Sequence, residues 1–193
     1  MDNLVEIAEY LEPTKTVLVL WDVQKMLVDA IFNREEFLEN VTNLAAAARK
    51  KGIPVLFTKI TPLSERFESP GRKFMRRKMP AGYKPGSDGY DLALHPEVDD
   101  IVLNKNTASI FVATNFELMM RNAGISTVLF TGIATEIGVE SSARDALNRG
   151  FFPVIVSDAV SSRDKEAHLR SLTNLKNMLP IVTKQELVGF WKK

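Results

Sequence analysis

Thr16–Trp21 reads TVLVLW, six apolar or β-branched residues with no polar alternation. A strand with one face in water alternates in character. An unbroken run of this kind predicts a strand buried on both faces, as in a parallel sheet covered by helices. Residues 53–60 (IPVLFTKI) repeat the pattern, and between the two runs Phe37, Val41, Leu44, Ala45 and Ala48 keep helical spacing. That helix is opened by Asn33 with Glu36 and stopped by Gly52.

The same alternation continues toward the C-terminus. Residues 101–104 form a short strand, and a Thr114/Glu117 capping box opens a helix carrying Phe116, Met119, Met120 and Ala123 before Gly124. Strands over 126–133, 151–157 and 181–182 are separated by helices over 139–149 and 163–179, and Thr183 with Glu186 caps a final helix. Strands alternating with helices through short connections predict an α/β fold. It is a three-layer, Rossmann-like arrangement of six parallel strands with helices on both faces. With 193 residues, the chain is read as one domain over 1–193.

Composition narrows the function. Lys plus Arg is 25 and Asp plus Glu 24, a net charge of +1, which removes the electrostatic argument for nucleic acid or membrane as a partner. The chain has no cysteine, so thiol nucleophiles, thiolate metal sites and disulfides are excluded by chemistry. His95 and His168 are its two histidines, too few for a multi-histidine metal site. Residues 1–12 carry Asp2, Glu6, Glu9 and Glu12 without a basic leader, and the apolar runs are short. A cytoplasmic protein that takes a small-molecule substrate and needs no metal or cofactor is expected.

One segment breaks the rhythm. Between Ile60 and Ile101 fall five of the nine prolines and four of the ten glycines, with no sustained period. Such a stretch is a lid, a binding loop or an oligomer contact. Within it, Arg72, Lys73, Arg76, Arg77 and Lys78 concentrate positive charge, read first as a solvated or intersubunit face and second as an attractor of anions.

In an open parallel sheet, ligands bind beyond the carboxyl ends of the strands. Asp22 and Gln24 follow the first strand, Lys105 the third, and Gly132, Ala134, Thr135 and Gly138 the fourth. Taken singly these are a loop cap, a solvated lysine and a permissive helix start. Together at three strand ends, a carboxylate, an ammonium and a Gly/Thr-rich helix entry point to a site. Phe111 and Phe32 are read first as core packing and second as an apolar wall of the site. Trp21 is likewise read as core by strand alternation, with a wall of the site as its second reading.

The pieces VLVLWDVQ (17–24), VLNKNTASIF (102–111) and TGIATEIGVESSARDA (131–146) resemble, in order and spacing, the three signature blocks of the isochorismatase-like, or cysteine hydrolase, superfamily. The resemblance implies a six-stranded parallel sheet and dimers or tetramers. The family's amidases use an Asp–Lys–Cys triad. By position the aspartate is Asp22 and the lysine Lys105, while Gly138 stands at the cysteine. A thioester route is thereby disfavoured. The nicotinamidase metal pattern also lacks a counterpart, because 61–94 contains no histidine.

True isochorismatases resemble this chain in having glycine there. The resemblance implies acid-catalysed cleavage of a vinyl ether, with Asp22 as acid and Lys105 as its electrostatic partner. It implies a cis peptide at Ile133–Ala134, with the Ala134 and Gly138 N–H groups cradling an anion; Gln24, Ala134, Thr135 and Phe111 are the residues expected around the substrate. Glu136 departs from the family's usual Asp or Asn. Ser109 matches a family position and is read as structural. Two rivals stay open: a catalytically silent binding protein, and an amidase using Ser141 or Ser142, which no histidine is placed to activate.

Overall fold

Leu18 and Leu20 of β1 (Thr16–Trp21) face one side of the sheet and Val17, Val19 and Trp21 the other, and every one of them is buried. The computed structural model describes residues 2–77 and 87–192. β1 is joined by β2 (Val55–Ile60), β3 (Ile101–Lys105), β4 (Thr127–Ile133), β5 (Phe152–Ser161) and β6 (Ile181–Val182). All pairings are parallel, in the order β3-β2-β1-β4-β5-β6. The helices are α1 (Asp2–Glu6), α2 (Lys25–Val28), α3 (Arg34–Lys50), α4 (Pro70–Arg76), α5 (Phe116–Asn122), α6 (Glu140–Asn148), α7 (Lys165–Leu175) and α8 (Lys184–Trp191).

Two apolar layers sandwich the sheet. Phe37, Val41 and Leu44 of α3 pack with Leu187 and Trp191 of α8 on one face. Phe116 and Met120 of α5, Ala143 and Ala146 of α6 and Leu175 of α7 cover the other. The expected α/β architecture is therefore observed. No described helix is long and apolar enough to cross a membrane.

Several local expectations need correction. Thr114 does not close a capping box. Its Oγ1 accepts from Phe116 N (3.2 Å), and the Glu117 carboxylate pairs with Arg149 (2.6 Å) instead. Asn33 makes no side-chain cap either, because its Oδ1 accepts from Ser161 Oγ at 2.5 Å. β5 runs four residues past its expected end, its pairing to β4 shifting register after Phe130. α7 is shorter than 163–179 and is capped by Asp164, which accepts from Ala167 N at 3.0 Å. The Thr183/Glu186 box is present.

α2 and α4 were not anticipated. Ser69 caps α4 and Pro70 fills its first turn, a start signal that the surrounding irregular composition obscured. Of the basic cluster, Lys78 lies outside the described residues. The chain from Ser87 is not loose coil: Gln24 bridges Leu92, Lys25 N donates to Asp91 O (2.9 Å), and Ala93 N donates to Val23 O (2.8 Å).

Strand order reverses between β1 and β4, whose successors run to opposite edges. This switch point is where a crevice opens in such sheets. β1 and β4 approach closely there. Gly132, at φ +107°, is in register with Trp21, and a Cβ on it would fall 2.0 Å from the Trp21 carbonyl oxygen.

Candidate active site

Asp22 leaves β1 in the left-handed region, φ +47°, which turns its side chain to the carboxyl end of the sheet. Thr58 of β2 fixes it from both ends, accepting from Asp22 N at 2.9 Å and donating to Oδ1 at 2.6 Å. Lys105, the last residue of β3, donates from Nζ to Asp22 Oδ2 at 2.6 Å and to Thr107 O at 3.3 Å. Both side chains are almost fully buried, at 6% exposure for Asp22 and 1% for Lys105. The ammonium also rests 3.9 Å from the centre of the Trp21 ring, a cation–π contact. Burial pulls Lys105 below the usual lysine range. Asp22 opposes that pull, and Arg72 adds to it as a like charge.

This pair lies at the floor of a cavity of about 390 Å³. Trp21, Ile60, Ile133, Ala134, Ile137 and Gly138 form the wall nearest the sheet. Met26, Leu27 and Tyr90 close one side, and Ser69, Arg72 and Met75 from α4 and its cap close another. Arg72 donates to Asn106 O (2.5 Å) and pairs with Glu68 Oε1 (3.2 Å), which holds its charge at the wall. The irregular segment thus contributes wall residues, in keeping with a binding loop.

Asp22, Lys105, Gly138 and Ala134 all line this cavity. Gln24, Thr135 and Phe111 do not, for identifiable reasons. Gln24 is fully buried and its amide is spent on backbone: Oε1 accepts from Ile60 N (3.0 Å), and Nε2 donates to Tyr90 O (2.6 Å) and Ile60 O (3.3 Å). It clamps the wall rather than facing the cavity. Thr135 Oγ1 donates to Ser161 O (3.1 Å) and meets His168 Nδ1 at 2.8 Å. Phe111 packs edge-on against Phe116 in the core. Phe32 stands edge-on to His168, outside the cavity.

The peptide Ile133–Ala134 is cis, as the family resemblance implied. The anion cradle needs correction, since Gly138 N donates to Ala134 O (3.1 Å) within a single π-helical turn, Thr135–Val139. Ser109 Oγ donates to Asp145 (2.5 Å) and plays a structural part. Ser142 is buried against Ile110 N and Ala108 O, and neither it nor Ser141 lines the cavity. Glu136 takes a hydrogen bond from Ser162 (2.7 Å), away from the cavity floor. No group of three His, Asp or Glu side chains among the described residues is placed to hold a metal ion.

Sequence reasoning missed Thr58, hidden inside an apolar strand, and placed Trp21 first in the core and second at a cavity wall. Trp21 is buried with the core and walls the cavity as well. Its indole also occupies the space in front of Gly138. A Cβ on that glycine would fall 2.0 Å from Trp21 Nε1 and 2.2 Å from Cε2.

The fold is thus a doubly wound α/β sheet with a buried acid–amine pair beside a cavity at its switch point. The isochorismatase domain profile matches residues 16–186, and the chain belongs to that family of hydrolases. It is 33% identical over 192 residues to a ureidoacrylate amidohydrolase of Methylobacterium radiotolerans, covering 86% of this chain and 74% of the relative. An N-carbamoylsarcosine amidase of Arthrobacter is 32% identical over 136 residues, covering 67% and 51%. In fold, the chain is similar to a cysteine hydrolase from Pseudomonas syringae, with a TM-score of 0.83 at 19% identity over 93% of each chain.

Proposed function

We propose that the protein is an isochorismatase-family hydrolase that works without a nucleophile of its own, by proton donation from Asp22 to a small anionic vinyl ether of the isochorismate type. One observation carries this reading: a chain with no cysteine keeps a buried Asp22–Lys105 pair at the floor of its cavity.

The two groups lie 2.6 Å apart, and burial weakens the hold of Lys105 on its proton. In the proposed reaction Asp22, held at Oδ2 by Lys105, gives a proton to the terminal vinyl carbon of the substrate. The oxocarbenium ion left behind takes up water, whose lost proton returns to the pair. The hemiketal then breaks its bond to the ring oxygen, giving pyruvate and an alcohol. Net, one water is consumed and no proton. Arg72 at the wall supplies positive charge for the substrate carboxylate. Gly138 stands where the family's amidases have cysteine, and a homo-oligomer acting on a small molecule fits the same reading.

The names of the relatives favour a second reading, amide hydrolysis by a route that uses no thiol. The discriminating experiment measures pyruvate release from isochorismate, and ammonia release from nicotinamide and ureidoacrylate, for wild type and Asp22→Asn. Pyruvate from wild type alone, with Asp22→Asn slowed at least about 100-fold, is the expected result. Ammonia in place of pyruvate would establish the amidase reading. Turnover of none of them would favour a binding protein.

A further inference from the structure

Gly138 and Trp21 are not independent features. The indole fits only because residue 138 carries no side chain, a Cβ there meeting three ring atoms at 2.0, 2.2 and 2.6 Å. The Trp21 backbone has the same relation to Gly132, where a Cβ would fall 2.0 Å from its carbonyl oxygen. Two glycines on the β4 side therefore house one tryptophan on the β1 side. The ring is held from a third direction by the Lys105 ammonium, 3.9 Å from its centre, and Lys105 is fixed in turn by Asp22. Rotating the indole away would give up that contact and the packing of a side chain that is 1% exposed. The three ring atoms that bar a side chain at 138 belong to one of the largest fully buried side chains of the molecule.

We propose that Trp21 is the specificity-determining residue of this site, its indole closing position 138 to any side chain and so barring a protein nucleophile there. This rests on the proposed nucleophile-free reaction. Under it, the choice between nucleophilic and acid-catalysed hydrolysis is set by the Trp21–Gly138 pair, and restoring a cysteine at 138 alone gives no usable thiol.

Size reversal tests the pairing. Gly138→Ala is expected to lower Tm by roughly 5 °C or more, as overpacking of a tight core does. In the Trp21→Val chain the same change should cost less than about a third of that, since the two sites share one volume. Equal losses in both backgrounds would overturn the inference. If Gly138→Ala fails to fold, rescue by Trp21→Val is the expected coupling and failure of that rescue overturns it.

A second measurement stands if Trp21→Val itself does not fold. Trp21 and Trp191 are the chain's two tryptophans, so Trp191→Phe leaves a single indole reporter. Gly138→Ala in that chain should shift its emission to the red and raise acrylamide quenching, and unchanged emission would overturn the proposal. Because the chain has no other thiol, Gly138→Cys can be alkylated with iodoacetamide at one place. The rate should rise at least about fivefold when Trp21→Val is added, and equal rates count against the proposal. None of these readouts uses a substrate. Missing pyruvate release would thus sink the proposed reaction and leave the Trp21–Gly138 pairing standing, and additive Tm losses would do the reverse.

Discussion

The Asp22–Lys105 pair and the Thr135–His168 pair are both buried at the carboxyl ends of strands, at 2.6 and 2.8 Å, and both include a group with a lowered pKa. The first lies at the floor of the cavity. The second is spent on structure: Thr135 Oγ1 meets both Ser161 O and His168 Nδ1, and α7 is tied to the end of β5. Burial and a perturbed proton therefore do not by themselves mark a site. What separates the pairs is open space in front of one and backbone in front of the other.

The largest break in this comparison should come from Lys105→Met. It leaves the Asp22 carboxylate buried without its cation, at an expected cost of about 3–5 kcal/mol in urea unfolding. Adding Asp22→Asn should recover much of that stability and none of the activity, because removing both charges is far cheaper than stranding one.

A sharper contrast comes from removing a buried hydroxyl on each side. Thr58→Val and Thr135→Val should each cost about 1–3 kcal/mol. Only Thr58→Val should also lower kcat, because Thr58 holds Asp22 at both its N–H and its Oδ1. Equal kcat losses in the two variants would make Thr135 part of the site.

The smallest expected effect is in pH. Desolvation lowers the pKa of His168, so the unfolded chain takes up a proton before the folded one does. Stability from keeping this ring neutral is full above about pH 6.5 and is lost as pH falls from there through the folded value. Tm measured between pH 7.5 and 5 should show this fall, and His168→Gln should flatten that part of it.

The unbroken apolar runs made the sheet legible, because a strand covered on both faces has no other residue pattern available to it. Asp22, Lys105 and Gly138 were legible as strand-end residues, since topology alone brings those ends together. Thr58 was not. A threonine in IPVLFTKI reads as β-branched filler, and its tie to Asp22 depends on a neighbouring strand 36 residues away. Gln24 was misread for the opposite reason, as a polar residue at a strand end whose partners, the Ile60 and Tyr90 backbone, lie far along the chain. For Trp21, alternation gave the correct face, but period-two reasoning cannot tell where along that face the core stops and a cavity starts.

The left-handed backbone of Asp22 carries a consequence for how this position tolerates change. Among non-glycine residues, asparagine and aspartate enter that region several-fold more readily than others. Position 22 therefore carries two requirements, a backbone shape and, under the proposed reaction, a carboxylate. Asparagine and glycine answer the first and glutamate the second, while aspartate meets both. Tolerance at position 22 thus measures folding and chemistry together, and asparagine, which changes the chemistry while keeping the shape, is the substitution that separates them.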